Sequence, residues 1–191
     1  EFSPTSGQSF YFPLIYAPQA IGLRIGELLG ASVYASYELA KLTALLMSCA
    51  IIFWALSTYP FSWASLSLFV LPMSLFQMSS ASLDGVAHAI TLLVIALFLR
   101  LNQDQKNAAP WVAFVFPFLI ALLVTSRLHL LPMIGLIFFA FSLTKQKKYL
   151  YLGSAVTLFT ALWIAVTITS IVDIKVRSSF TPTQVVWFYI T

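Results

Sequence analysis

The feature that most constrains this chain is a succession of long apolar segments joined by short polar links. Of its 191 residues, 60% are apolar and only 8% are charged, whereas soluble domains carry about 25% charged residues. A soluble protein of this size has too little interior to bury so much apolar surface. The sequence therefore predicts an integral membrane protein. We attribute its net charge of +4 to loops beside a membrane rather than to a nucleic-acid partner.

Segments of about 20 apolar residues can cross a bilayer as helices. The expected fold is therefore all-α, a polytopic transmembrane bundle of six spans: Tyr34–Ser57, Trp63–Met78, Ser82–Leu101, Pro110–Thr125, Leu128–Thr144 and Leu150–Val172. We expect residues 1–32 to form an extracytoplasmic leader with an interfacial helix, residues 33–172 to form the bundle, and residues 173–191 to form an extracytoplasmic tail. Because the chain starts without methionine and ends in an apolar stretch, we expect it to be part of a longer polypeptide.

A short interfacial helix is predicted before the first span, in the segment AIGLRIGELLG. Gly22, Gly26 and Gly30 are spaced by four residues, which puts them on one helical face that another helix can approach closely. We expect this face to pack within the bundle. Binding of a partner membrane protein is the alternative that the spacing leaves open.

Basic residues in the loops predict the orientation of the bundle. Two short links on the same side carry five of them: Arg100, Lys106, Lys145, Lys147 and Lys148. This side is predicted to be cytoplasmic. The leader, the start of the third span and the turn after the fourth span then face outward.

The ionisable groups of the spans collect at this predicted outer face, and none lies at the middle of a span. Transporters that couple to ions or protons usually carry charge near the membrane centre. A one-sided cluster favours binding of a phosphate-bearing lipid instead, because cations, and arginine above all, match phosphate oxygens. The candidate binding residues are Lys41, Asp84, His88, Arg127 and His129.

Each candidate also has a structural explanation. Lys41 is three residues from Glu38 and can pair with it on one helix. Asp84 can interact with the positive end of the third helix, and His88, one turn later, can donate a ring N–H to it. Arg127 can be an interfacial anchor. Asp84 and His88 alone are too few ligands for a metal site.

Four stretches of the chain carry a resemblance to a known family. They are the leader YFPLIYAPQAIG, the segment SYELAKL, the run LPMSLFQMSSASLDGVAHAI followed by ALFLRL, and the turn TSRLHLLP. These stretches are similar to a bacterial membrane family catalogued as domain of unknown function 2142 (DUF2142). The family in turn resembles the GT-C class of polytopic glycosyltransferases. Lys41 stands where family members tend to have arginine and Arg127 where they often have lysine, so both positions keep a cation.

The resemblance implies a glycosyltransferase that takes a sugar from a polyprenyl-phosphate carrier at the outer face of a bacterial plasma membrane. Arg127, with Lys41 and His129, would neutralise the phosphate leaving group. The catalytic acid would lie upstream of Glu1, so no catalytic residue is assigned. No cofactor is assigned either; a divalent cation beside Asp84 stays open, although one carboxylate is a poor metal site.

The expected partners are the lipid-linked sugar donor and membrane lipids. Two other functions stay open at this stage. One is a transporter or flippase of a lipid-linked saccharide, which would use the same cations to dock a headgroup. The other is a non-catalytic assembly subunit that binds its partner through the glycine face.

Overall fold

A computed structural model describes residues 11–67, 71–103 and 110–175, without the side chains of residues 64 and 168–175. Within these ranges the chain forms helices and turns and no strand. The helices are α1 (Ala17–Leu28), α2 (Val33–Thr58), α3 (Trp63–Ser67), α4 (Pro72–Ser79), α5 (Leu83–Gln103), α6 (Val112–Ser126), α7 (Ile134–Thr144) and α8 (Lys147–Lys175). Short 3-10 helices precede α1 and α7, at Pro13–Tyr16 and Leu128–Met133. The prediction of an all-α helical bundle is confirmed.

Three of the described helices are long and apolar enough to cross a membrane on their own: α2, α5 and the part of α8 from Lys147 to Thr167. α6 and the segment Leu128–Thr144 are apolar but shorter. α5 is the central helix, because 61% of the residues in its most apolar stretch are buried, compared with 22% in α2 and in α8. The outer helices therefore present much of their apolar surface to lipid.

The predicted second span, Trp63–Met78, is wrong as a continuous helix. α3 is described as far as Ser67 and α4 begins at Pro72. Leu71, directly before α4, has an extended backbone with φ −58° and ψ 142°. A residue that precedes proline is pushed out of the α region, and proline itself favours the first turn of a new helix. α4 has eight residues, and with the break at Leu71 neither half of the predicted span is long enough to cross a bilayer.

α1 packs antiparallel on the first half of α2 through two of the three glycines. Gly22 lies against Ala40, and Gly26 lies against Ser36. Gly30 does not belong to this face: it follows the end of α1 with φ +63°, the left-handed conformation that terminates many helices. The expected packing of the glycine face is confirmed for Gly22 and Gly26. α2 occupies the face at Gly22 and Gly26, and binding of a partner membrane protein stays a prediction.

Aromatic contacts show which helix ends come together at one end of the bundle. Phe98 of α5 lies 6.3 Å from Phe116 of α6 and 5.8 Å from Phe139 of α7, measured between ring centroids. The basic links that follow α5 and α7 therefore come to the same end, which we call the Arg100 end, as the sequence predicted. The first turn of α5 marks the other end, which we call the Asp84 end. Lys106 lies outside the described residues.

Candidate functional site

The centre of the candidate site is an ion pair between Asp84 and Arg127. Asp84 lies in the first turn of α5, and Arg127 directly follows α6, where its N–H donates to the Leu123 carbonyl at 2.7 Å. Because α5 and α6 run antiparallel, these two helix ends meet. The side chains of Arg127 and Asp84 are only 25% and 34% exposed, so their attraction is less screened than that of a surface pair.

Two tyrosines of the leader surround the Arg127 side of this ion pair. The guanidinium carbon of Arg127 lies 5.5 Å from the centre of the Tyr11 ring, a cation–π distance. The Tyr11 and Tyr16 rings meet edge to face at 6.4 Å. Burial raises the pKa of the Tyr16 hydroxyl, Tyr11 raises it further, and Arg127 lowers it. The Tyr16 hydroxyl therefore keeps its proton at neutral pH and can donate a hydrogen bond.

A buried amide fixes the corner that precedes Asp84. Gln19 of α1 is 5% exposed, and its Nε2 donates to the Ser82 carbonyl at 2.9 Å. The hydroxyls of Ser82 and Ser80 share a hydrogen bond of 2.8 Å. These bonds tie the start of α5 to α1. Sequence analysis did not single out Gln19, and its signal was an amide inside an otherwise apolar helix start.

Lys41 lies near the same end of the bundle but has its own partners. Its Nζ is 2.8 Å from Oε1 of Glu38 and 5.0 Å from the centre of the Tyr37 ring. Thr43, two residues later, donates to the Pro18 carbonyl at 2.7 Å. Because residues two apart lie on nearly opposite sides of an α-helix, Lys41 lies on the side of α2 away from this contact with α1. The pairing with Glu38 that the spacing allowed is confirmed. Within the described ranges, Lys41 and Arg127 therefore do not form the expected group of cations. They belong to two separate ion pairs, each with no net formal charge.

The two histidines contribute less than expected to the Asp84–Arg127 ion pair. Nδ1 of His88 lies 2.9 Å from the main-chain carbonyl oxygen of Asp84. The expected bond to the Asp84 carboxylate is therefore wrong, because that carboxylate engages Arg127. His129 is exposed in the 3-10 helix after Arg127. Among the residues that the structure describes, no group of three or more possible ligands is arranged to hold a metal ion.

The Asp84–Arg127 ion pair is recessed below the ends of the longer helices. Thr43, at the height where α1 meets the start of α5, lies ten residues after the first residue of α2, Val33, or about 15 Å. Trp163, which packs on Phe12 of the leader at 4.9 Å, lies twelve residues before the last residue of α8, Lys175, or about 18 Å. The ion pair and the two tyrosines therefore lie below the ends of α2 and α8, at a level that we call the floor of the recess.

Two apolar grooves flank α6 below this floor. One, between α6 and α8, has a volume of about 310 Å³ and includes Phe12 of the leader; we call it the α6–α8 groove. The other, about 230 Å³, lies between the leader, α1, α2, α5 and α6; we call it the α2 groove. Leu122 lines both. The site thus combines a fixed cation with hydrocarbon-lined space on either side of α6.

Comparison with known proteins gives a family and no closer relative. No curated protein and no solved structure matches the chain significantly. A family profile, described as predicted membrane protein (DUF2142), matches residues 1–186. This match includes the recess floor and the helices that build it, and the chain therefore belongs to the DUF2142 family of membrane proteins.

Proposed function

We propose that the protein is a membrane glycosyltransferase of the GT-C type that takes a sugar from a polyprenyl-phosphate carrier. The Asp84 end would be the outer face of a bacterial plasma membrane. The observation that carries this proposal is Arg127, held between Asp84 and the Tyr11 ring at the floor of the recess. An arginine so placed in an apolar bundle is costly and is by default a functional residue.

The proposed reaction is a direct displacement at the anomeric carbon of the donor. The acceptor hydroxyl oxygen forms the new bond to this carbon, and the bond from the carbon to the phosphate oxygen breaks. The electron pair of that bond stays on the phosphate, and the hydroxyl proton passes to a general base that we do not assign to a residue of this chain. The protein lowers the barrier by stabilising the charge that builds on the phosphate.

Arg127 is the residue that would stabilise this charge. Its planar fork has five N–H donors, so part of it can bind the phosphate while another part stays on the Asp84 carboxylate. Asp84 then acts as a positioning residue, because it restricts the rotamers of Arg127 before the substrate arrives. The protonated Tyr16 hydroxyl is a second donor of the recess floor.

The other candidate residues take secondary places. Lys41 pairs with Glu38 on α2, which would leave it a weaker phosphate ligand than Arg127. His129, exposed beside Arg127, would face a headgroup that enters the recess. His88 is anchored through Nδ1 and would present Nε2 on the other side of Asp84.

A flippase of lipid-linked saccharides is the rival proposal, and it requires a polar path through the membrane. Between His88 and Arg100, α5 carries one polar side chain, Thr91, which donates to the Ala87 carbonyl of its own helix. This apolar stretch of the central helix favours chemistry at one face over transport across the bilayer.

The test is to replace Arg127 in the intact protein and measure sugar transfer from membrane lipid to cell-surface glycan. We expect Arg127→Ala to lower transfer by about 100-fold or more, as removal of a charge-stabilising donor commonly does, and Arg127→Lys to restore part of it. The matched control is Arg24→Ala, because Arg24 pairs with Glu27 on the exposed side of α1, with both side chains 67% exposed. Normal transfer by a stably produced Arg127→Ala variant would rule this mechanism out.

A further inference from the structure

We infer that the α6–α8 groove holds the hydrocarbon tail of the lipid phosphate that binds at Arg127, an inference that rests on the proposed function. The ligand class is a long-chain isoprenyl phosphate lying in one leaflet. Its headgroup would be in the recess, and the first part of its tail would lie along α6.

The leader connects the headgroup position to the groove through two neighbouring residues. Tyr11 lies over Arg127 at 5.5 Å. Phe12 lines the groove and packs edge to face on Phe159 of α8 at 5.9 Å. On the opposite wall, Thr125 lines the groove and lies two residues before Arg127 in the chain. A lipid whose phosphate contacts Arg127 therefore has its tail at the mouth of this groove.

The length of the groove matches one leaflet. Its wall on α6 extends from Thr125 to Phe114, eleven residues or about 16 Å, against about 30 Å for the whole hydrocarbon core. Small side chains provide the space: Pro117 and Ala121 on α6 and Ala155 on α8. The groove is therefore long enough for a tail inserted from the Asp84 end and too short to guide a lipid to the other leaflet.

The α2 groove is a poorer candidate, because several residues of the leader and α1 cover the part of it that points to the Asp84 end, whereas Phe12 is the one described leader residue that lines the α6–α8 groove. Ile15, which is 1% exposed, and Pro18 line it. Thr43 bonds the Pro18 carbonyl at 2.7 Å and so fastens this cover to α2. A lipid in the α2 groove would have its headgroup separated from Arg127 by the leader.

The groove fixes the position of the tail more than it adds affinity. A tail that leaves the bilayer for the groove stays among hydrocarbon, so it gains packing contacts and little hydrophobic free energy. We therefore expect a groove-filling substitution to act by steric exclusion and to weaken lipid binding by about tenfold, which corresponds to about 1.4 kcal/mol.

The experiment fills the groove and measures lipid retention by mass spectrometry of the intact protein in phosphatidylcholine nanodiscs. The variant is Ala155→Phe, and the matched control is Ala161→Phe, because Ala161 is exposed on the same helix and does not line the groove. The probes are a long-chain isoprenyl phosphate and the uncharged isoprenol of the same length. We expect Ala155→Phe to lower retention of both probes about tenfold and Ala161→Phe to leave both within twofold of wild type.

Arg127→Ala separates the groove from the headgroup site. It should lower retention of the isoprenyl phosphate and leave the isoprenol unchanged. If only Ala155→Phe lowers retention, the lipid tail lies in the groove, and Arg127 does not bind the phosphate as the proposed function requires. If only Arg127→Ala lowers retention, Arg127 binds the phosphate, and the inference that the tail lies in the groove is wrong. Wild-type retention in both variants would overturn both.

A second measurement uses the wild-type protein, so it does not depend on how the variants fold. An isoprenyl phosphate with a photoreactive group in its first isoprene units should cross-link to residues 114–125 and 152–159. Cross-links confined to the residues of the α2 groove, such as Met47 and Ile51, would refute the inference.

Discussion

Gly22 provides the sharpest test of how the recess is built, because α1 can approach α2 only where a side chain is missing. A Cβ placed on Gly22 would lie 2.6 Å from the Ala40 Cα and 2.6 Å from the Leu39 carbonyl oxygen. Carbon atoms in good contact are about 3.5–4.0 Å apart, so the misfit is about 1 Å. Both neighbours are backbone atoms of α2 and cannot rotate aside.

Gly22→Ala should therefore push the two helices apart. Overpacking costs about 1–3 kcal/mol, and a misfit against backbone belongs at the upper end of this range. Alanine returns about 1 kcal/mol through its higher helix propensity. We expect a net loss of about 2 kcal/mol in the free energy of unfolding.

The matched control is Gly135→Ala in α7, where a Cβ would meet nothing within 4 Å. This variant should gain up to about 1 kcal/mol from helix propensity alone. The assay is unfolding of the purified intact protein in detergent, combined with hydrogen exchange. In Gly22→Ala, exchange should rise in α1 and around Ser82, whose carbonyl accepts the Gln19 bond. Equal stability of Gly22→Ala and Gly135→Ala would refute this account of the α1–α2 contact.

Three further predictions concern the Asp84–Arg127 ion pair, the end of α7 and the Tyr16 hydroxyl. Asp84→Asn should lower the free energy of unfolding by about 1–2 kcal/mol, between the values typical of exposed and buried ion pairs. In a double-mutant cycle, adding Arg127→Gln should cost less in the Asp84→Asn variant than in the wild type, and a coupling energy near zero would contradict the pairing. Lys145→Gly should stabilise the protein by about 1 kcal/mol in thermal unfolding, because Lys145 has φ +56°, a conformation that costs side-chain-bearing residues about 1–2 kcal/mol. The raised pKa of Tyr16 means that folding favours the neutral form of its hydroxyl. This contribution to stability is complete below the unfolded pKa of about 10 and is lost as pH rises through the higher folded pKa. Tyr16→Phe should abolish this alkaline loss of stability, and a tyrosinate absorbance titration should show one hydroxyl fewer with a raised pKa.

The sequence was sufficient for features that depend on local spacing. Apolar length predicted the spans that became α2 and α5, and the three-residue spacing of Glu38 and Lys41 predicted their pairing. The break at Leu71 was also visible in the sequence, since Pro72 follows it, but the apolar length of Trp63–Met78 outweighed that signal.

Contacts between distant segments were not predictable in this way. Asp84 and Arg127 are 43 positions apart in the chain, and only the antiparallel packing of α5 on α6 makes them partners. The same holds for Gln19 and Ser82, whose bond depends on how closely the glycines let α1 approach α2. Charge at one end of a bundle can be inferred from loop composition, whereas the choice of partner depends on helix packing.

The length of α6 determines where Arg127 can act. Its 15 residues span about 22 Å, whereas the 21 residues of α5 span about 31 Å, enough for the hydrocarbon core of a typical bilayer. α6 nevertheless reaches the first turn of α5, where Arg127 meets Asp84, so the ion pair lies near the end of a helix that can cross the membrane. An isolated arginine this close to hydrocarbon would be disfavoured, and the Asp84 carboxylate and the Tyr11 ring offset part of this cost. Because the Arg127 side chain is still 25% exposed, this paired cation can meet a lipid phosphate, and the pairing is therefore part of the proposed site.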